Sequence, residues 1–339
     1  MRTLTFSLLL MSHMLVGCTP PATTPTERGP ALSQQDLKTW MEFLAGDALR
    51  GRASGSPEVL MAAGYLAAQM EAVGLTPLPG HNSYFHEFTF ERGGTTYTEY
   101  NVVGYLEGAN PEKKAEYILI GGHYDHVGVG AAVEGDSIYN GADDDASGTI
   151  TMLGLAKMLA AGERPARSIV FAAWAAEEMG LMGSKAFAAN PPIALENMAV
   201  NVNLEMTGHA EQLGEGKVFM TGPQYSNLNT QISETLASNG FELIDDPFAA
   251  QNLFYRSDNA SFISLKKEGD VNFGIPAHTL CTWGGEDHYH RPHDDPSMVN
   301  YANMHKLVLA LTPAIAKLAN EAERTEWTSE DFARYTGTE

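Results

Sequence analysis

Residues 116–125, EYILIGGHYD, and residues 167–177, RSIVFAAWAAE, decide how this chain folds. Each is a near-continuous apolar run ending in polar and acidic residues, the pattern of a strand buried on both faces. EYNVVGYLEG (99–108) and MAVNVNLEMTG (198–208) read as further strands. Between and after them, ASGTITMLGLAKMLAAG (146–162) and MGLMGSKAFAAN (179–190) read as helices. Upstream, LKTWMEFLAGDALRG (37–51) is an amphipathic helix pattern. Ser56-Pro57-Glu58 opens another, with a cap, a proline in the first turn and Gly74 at its end. Strands alternating with helices imply an α/β fold: a mostly parallel mixed sheet with helices on both faces and right-handed crossovers.

A chain of 339 residues, 44% hydrophobic and 19% charged, has enough apolar mass for a substantial core. A single domain over residues 34–339 is expected. The 42 acidic against 21 basic residues give a formal charge of -21, which repels phosphate backbones, so no nucleic acid is expected as a partner. Such a surface suits cationic ligands and is also an ordinary route to solubility.

Residues 1–17 look like a signal peptide: Arg2 precedes the apolar stretch LTFSLLLMSHMLVG, too short to span a bilayer. The stretch ends in LVGC, which resembles a bacterial lipobox whose cysteine, here Cys18, would carry lipid. Residues 18–33 then form a Pro/Thr-rich tether. The expectation is an exported lipoprotein, periplasmic or at the cell surface, touching membrane only through Cys18. A cleaved soluble signal peptide is the other reading. The chain has two cysteines, so no disulfide framework is available, and Cys281 in PAHTLCTW reads as a buried, inert thiol.

Chemistry gathers at strand ends. His123 and Asp125 follow the run ILIGG, Glu177 and Glu178 follow IVFAAWAA, and Glu205 follows AVNVNL. In open α/β sheets the carboxyl ends of the strands share one rim, where ligands bind. NGADDDASG (140–148) adds Asp143, Asp144 and Asp145 ahead of a helix, and EDHYHRPHDD (286–295) holds His288, His290 and His293. Taken singly, the Asp run could cap a helix, the glutamate pair could be a solvated turn and the histidines a polar loop. Together they place several carboxylates where a core should lie, and buried carboxylates need cations, protons or water.

The motifs GGHYDHVG, YNGADDDASG, AAEEMGLMGS, NLEMTG, RSDNASF and DHYHRPHDD, in this order, resemble the secreted zinc aminopeptidases of the bacterial leucyl aminopeptidase type, relatives of glutamate carboxypeptidase and glutaminyl cyclase. The likeness covers roughly residues 34 to 310 and implies the zinc-exopeptidase (phosphorylase/hydrolase-like) architecture. It implies two Zn2+ ions: His123 and Glu205 on one, Glu178 and His290 on the other, and Asp144 bridging both. It implies Glu177 as general base and peptides with a free N-terminus as substrates. Imidazole and carboxylate suit zinc, and three protein ligands per ion leave a position for water. Asp125, two residues past His123, is expected to accept the ring N–H not used by the metal. Asp294 is expected to support His290, with His288 and His293 outside the ligand pattern and Asp143 and Asp145 as supports. Tyr289 could donate to a developing oxyanion or simply pack.

Two departures from that family stand out. Glu205 occupies a position where Asp is common, and Asn259 one where His is common, followed by an expanded segment SLKKEGDVNFGIPAH. The alternatives to hydrolysis are a glutaminyl cyclase-like zinc enzyme and a metal-binding but inactive lipoprotein module. A carboxypeptidase with an inserted domain does not fit, because the stretch from Gly80 to Asn101 is too short to hold one.

Overall fold

A computed structural model describes residues 31–263, 265–267, 270–285, 287–321 and 323–328. The signal segment, Cys18 and most of the tether lie outside the described residues. The elements in chain order are α1 (Gln34–Leu44), α2 (Pro57–Ala72), β1 (Phe85–Arg92), β2 (Thr95–Leu106), β3 (Tyr117–His123), β4 (Gly128–Val133), β5 (Asp136–Tyr139), α3 (Gly148–Ala161), β6 (Ser168–Trp174), α4 (Met182–Ala189), β7 (Met198–Leu204), β8 (Lys217–Met220), α5 (Leu228–Ser238), β9 (Glu242–Ile244), α6 (Ala260–Ile263), β10 (Leu265–Lys267), β11 (Asp270–Phe273), β12 (Ala277–Cys281) and α7 (Tyr301–Asn320). Eight strands form one sheet in the order β1-β2-β6-β3-β7-β12-β8-β9. The central neighbours β6, β3, β7 and β12 run parallel, and β1-β2, β2-β6 and β12-β8 pair antiparallel.

The apolar strands serve two cores at once. Along β6, Ile169, Phe171 and Ala173 face one apolar cluster while Val170, Ala172 and Trp174 face another. This period-two split is why the run has no polar face. The first cluster packs under α1, α2, α3, α5 and α7; the second packs under α4 and α6. In the second, Trp174, Phe187 and Phe262 meet edge-on or tilted with centroids 5.2 to 6.3 Å apart. Each such pair adds about 0.5–1.5 kcal/mol to the area it buries.

Local signals explain the ends. Ser33 and Asp36 form a capping box that starts α1 earlier than its apolar pattern implies, and Ser56 caps α2 with Pro57 at the first position. The expected helix over 37–51 stops at Leu44. A Cβ at Gly46 would lie 2.4 Å from the Glu42 carbonyl oxygen, so the chain turns there and continues as a short 3-10 turn over Asp47–Leu49. The hairpin β1-β2, turning through Gly93-Gly94 at positive φ, extends the sheet beyond the strand read at 99–108. The expanded segment after Asn259 holds the small antiparallel pair β10-β11. Among the described residues no helix is long and apolar enough to cross a membrane.

His278 in β12 links this core to pH. It is fully buried, with Nδ1 2.9 Å from the Thr221 carbonyl oxygen and Nε2 2.7 Å from the Ser226 hydroxyl, so the neutral ring donates to one and accepts from the other. Burial pushes its pKa down to about 4 from the ordinary 6.5, only partly offset by the Thr221 carbonyl. The unfolded chain therefore takes up the proton first, and stability is lost as pH falls through 6.5 toward 4, by about 3 kcal/mol in all. His278→Gln should flatten the dependence of urea-unfolding free energy on pH across that window. Parallel slopes for the two proteins would refute this.

Candidate metal centre

The centre forms where three parallel strands end together. β3 lies between β6 and β7, with His123 opposite Trp174 and Gly121 opposite Asn203. Tyr124–His126, Ala175–Glu178 and Glu205–Met206 therefore leave the sheet side by side. Ala176, Met206 and His290 hold left-handed φ of 55°, 48° and 53°. Such backbone costs a non-glycine residue about 1–2 kcal/mol, and strained positions of this kind concentrate at functional sites.

The Asp run approaches from α3. Gly148 makes room, since a Cβ there would lie 2.3 Å from the Leu204 carbonyl oxygen and 2.4 Å from Asp145 Oδ1. Residues 142–147 form an irregular turn with a cis Asp144–Asp145 peptide. Asp145 spends its carboxylate on the backbone N–H groups of His123 (3.1 Å), Gly148 (3.0 Å) and Met206 (2.9 Å). Asp143 accepts from the Gly208 N–H and Ser147 hydroxyl and lies 2.9 Å from His288 Nε2. Both carboxylates are thus spent on the backbone, Ser147 and His288 around the turn. Asp144 is the member of the run that faces His123, Glu178, Glu205 and His290.

Five expected ligands meet here. Donor atoms of His123, Asp144 and Glu205 lie within 4.8 Å of one another, as do those of Asp144, Glu178 and His290, the two groups sharing Asp144. His123 Nε2 is 3.3 Å from Asp144 Oδ1; His290 Nε2 is 3.2 Å from Asp144 Oδ2 and 2.9 Å from Glu178 Oε1. Glu205, one methylene longer than the usual Asp, still reaches the group, with its other contact to the Ser257 hydroxyl. Glu177 Oε2 stands 4.0 Å from His123 Nε2, and Tyr289 stacks on the His290 ring at 3.9 Å.

The supports differ in part from expectation. Asp294 holds the Asp run by its main chain, accepting from the N–H of Asp143 at 2.7 Å and Asp144 at 3.0 Å, rather than holding His290. Asp125 does not take the His123 ring N–H on its carboxylate. Its backbone oxygen lies 3.1 Å from Nδ1, whereas its carboxylate is 3.7 Å away and instead accepts the N–H groups of Glu177 (2.9 Å) and Glu178 (3.3 Å). The turn after β6 presents those donors where the ring would otherwise compete. His293 is exposed, 3.6 Å from Asp287, outside the centre.

The donor set fits a divalent metal. His123 Nε2 and Asp144 Oδ2 are buried with no hydrogen bond among the described residues, although polar atoms crowd both. Burial pushes Glu177 and Asp145 well up and lifts Glu205 to about 8, with neighbouring carboxylates adding to each. His290 is driven the other way: burial lowers it, but Asp144 and Glu178 outweigh this and raise it to about 10. Without cations the cluster must borrow protons, and metal ions would supply that charge instead.

The matching family model is decisive. Residues 101–314 match that of Peptidase family M28. The chain belongs to peptidase family M28. It carries an M28 metallopeptidase domain. Over 111 residues it is 40% identical to a probable zinc metalloprotease of Pyrenophora teres f. teres, covering 32% of this chain and 23% of that protein. The chain spans about a quarter of the length of the curated relatives it matches first. Among solved structures, the M28 fold here is similar to BSAP, a zinc aminopeptidase from Bacillus subtilis (TM-score 0.64, 15% identity, 87% of this chain and 97% of that one). It is as similar to Porphyromonas gingivalis glutaminyl cyclase (TM-score 0.63, 17% identity, 84% and 97%). At these identities the likeness concerns fold alone.

Three residues of this M28 site went unread in the sequence. His126, next to the quoted His-x-Asp, is buried against Asp144 and Glu178. Arg52 is a fully buried guanidinium tied to loops on both sides of the centre. Asp258 in RSDNASF is a buried carboxylate that burial lifts to about 7. Asn259 beside it is buried and ties Phe254 to Thr279 from within the fold.

Proposed function

We propose that the chain is an aminopeptidase that holds two zinc ions, with His123 and Glu205 at one, Glu178 and His290 at the other and Asp144 between them. The observation that carries this reading is the meeting of those five side chains in two groups that share one carboxylate. Zinc bound there would polarise the scissile carbonyl and bring the pKa of a bound water near neutrality.

The remaining steps belong to the chain. Glu177 sits almost buried beside His123, and its raised pKa suits a group that takes a proton from water and returns it to the leaving amine. Asp125 fixes its aim by clamping the Glu177 and Glu178 N–H groups. We assign to the Tyr289 hydroxyl the donation to the carbonyl oxygen as charge develops. The substrate's α-ammonium would meet the carboxylates, which explains why cleavage would stop after one residue.

A cavity of about 140 Å³ opens beside Glu205 and Tyr289, lined by Met206, Phe219, Leu253, Cys281 and Trp283 with Arg256 among its polar residues. A dry cavity of about 150 Å³ is large enough for a benzene ring. Burial raises the Cys281 thiol well above its usual range, so it acts as wall and not as nucleophile. Leucyl and phenylalanyl p-nitroanilides should therefore be hydrolysed roughly 10- to 100-fold more efficiently than glycyl or glutamyl ones, and N-acetylated versions hardly at all. Equal cleavage of acetylated substrates, or cyclisation of glutaminyl peptides in place of hydrolysis, would sink the reading.

A further inference from the structure

We infer that His126 is an additional metal ligand, binding through Nδ1 at the Glu178/His290 subsite and giving the two ions unequal protein shells. This deepens the two-zinc reading and rests on it. The subsite would then have four protein donors, His126, Asp144, Glu178 and His290, against three, His123, Asp144 and Glu205, at the other.

The first observation is an unmet need. His126 is 1% exposed, and neither ring nitrogen makes a hydrogen bond among the described residues. A buried polar ring left so costs about 1–3 kcal/mol per unsatisfied group, so something of suitable chemistry belongs there. The second is where Nδ1 points. It stands 3.1 Å from Glu178 Oε1 and 3.9 Å from Asp144 Oδ2, yet its alignment with neither makes a hydrogen bond. His123 Nε2 behaves identically: 3.3 Å from Asp144 Oδ1 and also without a hydrogen bond. Donor atoms that crowd without bonding one another are aimed at a common third point. With metal bonds of about 2.0–2.2 Å, the edges of a tetrahedral shell are about 3.3–3.6 Å, and the spacings at this subsite, from 2.9 to 3.9 Å, bracket that range.

The third observation is that the ring is fixed in this aim. Gly141 has φ 60°, and a Cβ there would lie 2.4 Å from His126 Cγ and 2.6 Å from Cδ2. The bare glycine backbone thus packs against the ring edge away from Nδ1. The His290 ring meets it nearly perpendicular, 77° at 5.4 Å, and His290 Nε2 and His126 Nδ1 both lie close to Glu178 Oε1, at 2.9 and 3.1 Å. A closed four-donor shell is the habit of tightly held zinc, whereas three donors leave a position open for chemistry. The His126 subsite therefore loads first and releases last, and the open position lies on the His123 ion.

The test compares Zn2+ affinities of the native chain, His126→Ala and His126→Phe by chelator competition, together with visible spectra on stepwise Co2+ addition. The phenylalanine keeps the packing against Gly141 and removes the donor. Expected are two unequal equivalents in the native protein, the tighter one weakened at least about tenfold in both variants. The first-equivalent Co2+ band should also lose intensity as the four-donor shell opens. Two equivalents with unchanged affinities and spectra in both variants would overturn the His126 assignment and leave the two-ion reading standing. A native chain that takes up neither metal would overturn both.

Discussion

Glu177→Gln is expected to keep its full metal content and to lose about 10²- to 10⁴-fold in turnover. The substitution preserves shape and leaves intact the backbone N–H that Asp125 accepts at 2.9 Å, so the loop and its neighbour Glu178 stay in place. What disappears is the only carboxylate of the AAEEMG turn that does not belong to the proposed ligand set. KM should change little, because Glu177 is assigned proton transfer and not substrate binding. The measurement is kcat alongside metal analysis on the same preparation. Turnover within a few-fold of native would remove Glu177 from the mechanism, and loss of metal would recast it as a ligand.

Arg52→Met should destabilise the fold by about 3–5 kcal/mol, because a buried cation tied by hydrogen bonds is removed and its partners are left without donors. Arg52 Nε donates to the Tyr124 carbonyl at 2.6 Å, Nη1 to Leu44 at 3.0 Å and Asn140 at 2.5 Å, and Nη2 to Gly141 at 2.7 Å. Burial lowers its pKa, against the pull of Asp294, Asp125, Asp144 and Asp145, so it also offsets the negative field under the centre. Arg52→Lys should recover only part of the loss, since an ammonium is a point donor and cannot span four carbonyls. Thermal unfolding would read this as a fall of roughly 10 °C for methionine. A shift below about 2 °C would show that water or repacking replaces the guanidinium.

These two residues mark what the sequence made legible and what it did not. The central strands were readable because a strand covered on both faces has no polar alternation, and the acids at their ends stood out against it. Asp144, Glu178 and His290 could be chosen from runs of like residues only through the family pattern. Arg52 gave no local signal: its partners at Leu44, Tyr124, Asn140 and Gly141 are brought together by tertiary structure. His126 reads as a loop residue until Gly141, fifteen positions on, is seen packed against its ring. Asp125 was expected to accept the His123 ring N–H, and the donors it serves instead depend on where the β6 turn places the Glu177 and Glu178 N–H groups. The β8-β9 edge of the sheet was missed for another reason. β8 and β9 are four and three residues long, too short for periodicity to register.

The central claim is a hydrolytic centre built on two ions, and it is tested most directly by restoring zinc stepwise to chelated protein while following both bound metal and leucyl p-nitroanilide hydrolysis. Full activity should return only as the second equivalent binds, on free-amine substrate alone. Full activity at one equivalent, or none at two, would contradict it.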